Sequence, residues 1–532
     1  MTAADHATSA APRISEASFR LAVAAGMIAA YFGSVFRFNI LDLDVFHELA
    51  LIREIVATRT FPYRDSFAYT PTLVPAVHHE WGTGVVLYLA TVASGWGASG
   101  LMSVKFALAA ILGLFVTWVA RLRGATFCAF ALLAPFAFLV MTYSFHTVRA
   151  GAFSLVFLSL MLLVWEAEGL GRRYWLVAWP VLFLAWVNMH AGCLVGLGLF
   201  GIHVAERFVR EAVACRSARI AFVKVRALSV CLAIMALSLL ATPYVRDYPA
   251  YLWRAVRMPR PLIAEWAPLW RSTNSGLIEA FFLSLAVVGY LVFARGIRHL
   301  PGIGVLAVTA WFAMKHQRHV AIYAVVWLCF VPGWFAPTFL GRSFEALCRK
   351  RRSIVLAYWS ILGLGLLGIS LKDGPWKLIV PTKASESFGS QAIYPAGAAD
   401  YLSRIRFRGN LMTTFGSGGY VSWRLYPDVK VSIDSRYEVA YPPEAAQEAF
   451  DFFAARPGWE RTLVKYPTDA VLIPRRSRLK PEMTAALPSY DGEKGWRLVY
   501  RDDAYCVIVR QRLARSLPIV DRTGQPIIAT FP

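Results

Sequence analysis

The chain has 532 residues, of which 57% are hydrophobic and only 17% charged, with a mean hydropathy of +0.49. Soluble proteins carry about a quarter charged residues, so a soluble globular enzyme is excluded and the apolar excess reads as membrane spans. The formal net charge of +22 would suggest nucleic acid in a soluble protein, but here the arginines stand between apolar runs, where they set topology.

Residues 1–16 are rich in Ala and Ser and lack a charged n-region and a cleavage site, so the first apolar run reads as a retained anchor. Apolar runs follow at about 19–38, 82–98, 101–120, 125–143, 150–166, 174–189, 191–206, 226–243, 276–294, 300–314, 320–340 and 353–371. Most are long enough to cross about 30 Å of hydrocarbon. From about residue 380 the pattern changes to charges, prolines and short β-like runs such as Val429–Ile433 and Tyr505–Val509. The fold expected is an α-helical polytopic membrane protein with about 11–12 transmembrane helices and a C-terminal soluble α/β domain. Its parts are a cytoplasmic tail 1–18, a transmembrane domain 19–379 and an extracytoplasmic domain 380–532. The seven cysteines include four inside apolar runs, and no disulfide framework is visible.

Lys and Arg in short loops set the orientation. Residues 207–226 and 342–352 are strongly basic and are expected in the cytoplasm. Alternation from these loops places Arg121/Arg123, Arg172/Arg173 and Arg295/Arg298 on the same side and sends 380–532 outside. Loop 39–81 then lies outside with the amphipathic stretch 244–275, and the short, glycine-containing run 82–98 reads as a partial or surface-lying helix, leaving 11 crossings.

With this topology the polar residues collect at the outer face: Asp42, Asp44, His47 and Glu80, then His146 and Arg149, Asn188 and His190, Arg246, Glu265, Arg318 and His319. Ionisable groups converging from separate loops suggest a shared site. Asp42 and Asp44 form a D-x-D pair, which suits either a divalent cation held with His47 or a general base whose partner tunes its pKa. Asp44 could equally cap a helix through Leu49–Ile52. Arg149, Arg246 and Arg318 suit a phosphate. Trp253, Trp266 and Trp270 suit an interfacial aromatic belt. Gly416–Tyr420 lacks the lysine of a P-loop and reads as a tight strand connection. Asp434 and Arg436 read as an ion pair or a ligand contact.

The pattern Asp44-x-x-His47, Pro62-x-x-Asp65-x-Phe67-x-Tyr69-Thr70 and His79-Glu80-Trp81 resembles the first outer loop of a group of bacterial multi-spanning proteins related to the C-type glycosyltransferase superfamily. Arg149–Ser154, Asn188–Gly192, Glu265-Trp266, Arg318-His319, Gly418–Tyr420 and Ile433–Arg436 extend the resemblance over about residues 40–475. It implies a transferase that takes a sugar from a polyprenyl-phosphate carrier at the outer face of the bacterial inner membrane, by an inverting displacement, toward a glycan, lipid or protein acceptor. Carried over, Asp44 is the base, with Asp42 second. Glu80 positions sugar or acceptor, and Arg149 and Arg318 hold the phosphate. His47, His190, Arg246, Glu265 and His319 would complete the binding set. Asp42, Asp44 and His47 could hold a divalent cation, and the resemblance names no certain cofactor. Two other readings compete: a transporter or flippase of lipid-linked glycan, and a non-catalytic glycan- or lipid-binding envelope protein. The near absence of charge within the spans speaks against transport.

Overall fold

The computed structural model describes residues 15–37, 39–139, 144–145, 148–172, 174–261, 263–374, 376–383 and 393–532. His146 therefore lies outside the described residues. Among these, seven helices are long and apolar enough to cross a membrane: Glu16–Val35, Gly97–Leu122, Ala150–Gly169, Ala218–Ser238, Ser275–Arg295, Gln317–Phe335 and Arg352–Lys372. Four shorter apolar helices accompany them: Trp81–Ala93, Phe127–Ala137, Trp175–Met189 and Ile303–Lys315. The segment Trp81–Ala93 rises only about 20 Å at 1.5 Å per residue, short of a full crossing.

The chain divides into two compact units. The first comprises Met1–Arg37, Gly113–Tyr143 and Pro268–Pro375. Its helices Glu16–Val35 and Arg352–Asp373 meet along small residues. A Cβ on Gly26 would lie 2.7 Å from the Trp359 carbonyl oxygen, and one on Gly363 2.5 Å from the Gly26 oxygen. Small residues at a helix contact let backbones approach where hydrophobic contrast with lipid is weak. Arg318 and His319 belong to this unit, in the turn Gln317–His319 ahead of the almost wholly buried helix Val320–Phe335.

The second unit comprises Phe38–Leu112, Ser144–Ala267 and Trp376–Pro532. It contains a six-stranded mixed sheet in the order β2-β1-β3-β5-β4-β6. The strands are β1 (Gly409–Met412), β2 (Val429–Val431), β3 (Ala470–Pro474), β4 (Trp496–Arg501), β5 (Tyr505–Arg510) and β6 (Val520–Asp521). β1 pairs in parallel with β2 and β3, and β5 runs antiparallel to β3 and β4. All six β5 side chains are buried, because both sheet faces are covered. Ala470, Leu472, Val507 and Val509 face one cluster, which includes Val45, Phe46 and Leu49 of helix Asp44–Thr58. Val471, Ile473, Cys506 and Ile508 face the other, with Phe452, Trp459 and Leu463. The two-residue period of a strand produces this division.

The first loop is bonded to the sheet edge. Val431 N–H donates to Phe67 O at 2.9 Å, and Tyr69 N–H donates to Val431 O at 3.0 Å. The loop thereby covers the free edge of β2. Residues 416–420 lead from β1 into helix Gly418–Leu425 rather than directly into another strand. Gly418 is required there: a Cβ would stand 2.0 Å from the Ile433 carbonyl oxygen.

Candidate functional site

Helix Asp44–Thr58 opens the site. Asp44 is its first residue rather than its cap; Leu43 occupies the cap position, and Asp42 Oδ1 accepts from Asp44 N–H at 3.1 Å. His47 and Glu48 follow Asp44 by three and four residues, so all three share one helix face. His47 Nδ1 lies 2.9 Å from Ser435 Oγ and 3.9 Å from Asp44 Oδ1, while its Nε2 lies 3.9 Å from Glu48 Oε1.

The second contribution comes from His78-His79-Glu80, ahead of helix Trp81–Tyr88. Trp81 Nε1 donates to Asn188 Oδ1 at 3.2 Å, and Thr83 Oγ1 donates to Met189 O at 2.7 Å. These bonds bring the helix start against the end of helix Trp175–Met189, where His190 follows. Glu80 Oε1 then stands 3.2 Å from His79 Nε2 and 3.4 Å from His190 Nε2. The far nitrogens face hydroxyls: His79 Nδ1 is 3.0 Å from Tyr251 OH, and His190 Nδ1 is 2.7 Å from Ser154 Oγ. Ser154 Oγ also accepts from Trp186 Nε1 at 2.7 Å.

Arg149 precedes helix Ala150–Gly169 and donates to Glu265 Oε2 at 3.0 Å. Glu265, foremost, raises the pKa of Arg149 against the pull of burial, and Asp42 and Asp44 reinforce this. The guanidinium thus joins the acids of the helix start electrostatically. Arg246 is exposed ahead of helix Asp247–Arg257, beside Tyr63.

The protonation states diverge. Burial first, then Asp42 and Glu80, raise Asp44 well above the usual carboxylate range, with Arg149 and Ser435 opposing. Glu48 is raised by burial, then by Glu80, Asp44 and Asp42. Burial would also raise Glu80, but His79 and His190 outweigh it and hold this carboxyl well below its ordinary value. His47 is pulled down to about 4, chiefly by burial and also by Arg436, against Asp434. His78 is lowered well below its ordinary value, by burial first and then by Arg436 and His47. Glu80 is thus biased toward its ionised form while Asp44 and Glu48 are made more basic, the separation of roles that acid–base chemistry requires.

Several members were not selected from sequence. Glu48 is buried and belongs to the centre; its signal is its i+4 spacing from Asp44. Tyr251 carried no local signal, and Ser154 stood in the Arg149–Ser154 stretch with no role assigned to it. Among the described residues, two groups bring three ligand atoms within 4.8 Å of one another: His79, Glu80, His190 and His47, Glu48, Glu80. The trio Asp42, Asp44, His47 is not one of them.

Asp65, Asp434 and Arg436 form a fully buried ion group, with side chains no more than 2% exposed. Arg436 Nη2 donates to Asp434 Oδ2 at 2.6 Å and Nη1 donates to Asp65 Oδ1. Asp65 Oδ2 also accepts from Ala68 N–H at 2.7 Å. This is a clamp between the loop and the sheet.

No family model and no curated protein matches the chain. Solved structures do. ArnT from Cupriavidus metallidurans bound to undecaprenyl phosphate aligns over 95% of this chain and 99% of its own, at 13% identity and a TM-score of 0.53. The archaeal oligosaccharyltransferase AglB from Archaeoglobus fulgidus, in complex with an inhibitory peptide and a dolichol-phosphate, aligns over 86% of this chain and 70% of its own, at 12% identity and a TM-score of 0.53. The chain thus has the fold of the C-type glycosyltransferases, a multi-pass membrane fold.

Proposed function

We propose that this chain is a membrane glycosyltransferase that moves a sugar from a polyprenyl-phosphate carrier to an acceptor at the outer face of the bacterial cytoplasmic membrane. The observation that carries the reading is the meeting of Asp44, Glu80 and Arg149 in one acid–histidine cluster within a C-type glycosyltransferase fold. Asp44 takes the proton of an acceptor hydroxyl. The acceptor oxygen forms a bond to the anomeric carbon as the bond to the carrier phosphate oxygen breaks, with inversion. A base with a raised pKa suits this step near neutral pH. Arg149, oriented by Glu265, offsets the charge of the departing lipid phosphate. Glu80, held ionised, positions the donor or acceptor hydroxyls. Residues 380–532 lie outside the cytoplasm.

The test is transfer from a panel of radiolabelled undecaprenyl-phosphate sugars by purified protein in lipid. Wild type should release or transfer sugar, and Asp44→Asn, with folding intact, should lose about 100-fold or more of the turnover. Equal turnover in both would remove Asp44 as the base. Lipid binding without turnover on any donor would refute the transferase reading.

A further inference from the structure

We propose that Ser435, in the loop after β2, is a positioning residue that aims the Asp44 carboxylate at the acceptor hydroxyl, so that the sheet completes the transfer site. Ser435 Oγ lies 2.9 Å from His47 Nδ1, and the Ser435 hydroxyl is also hydrogen-bonded to the Asp44 side chain. His47 Nδ1 and Asp44 Oδ1 are themselves 3.9 Å apart, beyond direct hydrogen bonding, and the serine oxygen bridges that gap. A serine hydroxyl has one proton to donate, and an ionised carboxylate can only accept. When Asp44 stands ready as base, the proton of Ser435 therefore points at Asp44, and His47 Nδ1–H donates to the serine oxygen. The relay fixes the tautomer of His47 and the orientation of the carboxylate together. The Asp44 side chain is 31% exposed against 12% for His47, so the carboxylate stays within reach of an acceptor while the ring stands behind it.

The loop that carries Ser435 is held on both sides. Ahead of it, Thr70 Oγ1 donates to Ser432 O at 2.5 Å, and Thr413 Oγ1 donates to Ile433 O at 2.7 Å. Asp434 and Arg436 flank Ser435 directly; both are buried, and Arg436 N–H donates to Asp434 Oδ1 at 3.1 Å. The clamp of Asp65, Asp434 and Arg436 then ties this loop to the one that leads into Glu80. Helix Gly418–Leu425 closes the other side: a Cβ on Gly419 would come within 3.5 Å of the His47 nitrogen and the Leu43 oxygen. A hydroxyl on so constrained a backbone can set the direction of a neighbouring carboxylate, because little of its binding energy goes into ordering the loop.

The inference rests on the reading of Asp44 as base. The experiment uses the full chain in lipid, with the undecaprenyl-phosphate sugar that wild type turns over fastest, and compares Ser435→Ala, Asp44→Asn and the double variant. Ser435→Ala should lower kcat about 10–100-fold at unchanged donor KM, as for loss of a hydrogen bond to a charged group. In the Asp44→Asn background it should cost nothing further, since it acts through that carboxylate. Wild-type kcat in Ser435→Ala, with turnover lost in Asp44→Asn, would overturn this inference and leave the transferase reading standing. A loss that recurs in full in the double variant would also overturn it, as a general structural effect. Equal turnover in wild type and Asp44→Asn, or no turnover by wild type on any donor, would overturn the base reading and this inference with it. If Ser435→Ala does not purify as a monodisperse species, Ser435→Cys takes its place. It keeps the shape but donates weakly, and an unchanged kcat there is the overturning result.

Discussion

Arg436 donates to Asp65 across 371 residues of sequence, with both side chains buried. The same guanidinium holds Asp434, two residues away, so one cation serves two acids. Removing it leaves two buried carboxylates facing each other. Arg436→Ala should therefore destabilise the chain by about 3–5 kcal/mol, the cost of breaking a buried pair from one side. Thermal unfolding in detergent, followed by tryptophan fluorescence, measures this. A loss under about 1 kcal/mol would mean that the group is solvated in the native protein.

His47 predicts a pH dependence of stability. Its pKa falls from an ordinary 6.5 to about 4 on folding. Between these values the unfolded chain binds the proton and the native chain does not, so this contribution is present above about pH 6.5 and is lost as pH falls to about 4. The full span corresponds to about 3 kcal/mol. Comparing the stability of wild type and His47→Gln across pH 4–7 isolates it from the neighbouring carboxyls. Parallel curves would show that His47 titrates normally.

Gly192→Ala should disturb His190 without unfolding its helix. The added Cβ has no room beside Ser154 Oγ and His190 Nδ1, and the imidazole must shift. A displacement on the order of 1 Å at a reacting centre costs about 100-fold in rate. The expected result is a large fall in turnover with little change in helix content by circular dichroism. Unchanged turnover would place His190 outside the reaction.

Arg149→Lys should raise the KM for a polyprenyl-phosphate donor by about tenfold, since an ammonium cannot reproduce two-pronged contact with phosphate while bonding Glu265. Glu265→Gln should have a smaller effect of the same sign, acting through the orientation of Arg149. Steady-state kinetics at varied donor concentration separate this from a change in kcat. A fall in kcat beside the rise in KM would show Arg149 also offsetting the charge of the departing phosphate, and an unchanged KM would overturn its role in donor binding.

The sequence by itself determined the membrane class, the placement of most apolar helices and the strands around Val429 and Tyr505. Each of these is written in a local period or in the length of a contiguous apolar run. It also pointed to the first loop, because acids and histidines are conspicuous between apolar blocks. Tertiary structure alone decided which of them meet. The D-x-D spacing of Asp42 and Asp44 drew attention because it is visible in three residues, whereas His79, Glu80 and His190 converge only when the start of helix Trp81–Tyr88 docks on the end of helix Trp175–Met189. Asp434 and Arg436 read equally as a structural pair or a ligand contact until Asp65 closed the group from the far loop. Protonation could not be read along the chain either: Asp44 and Glu80 differ little as free carboxylic acids, and burial with the choice of charged neighbours drives them in opposite directions.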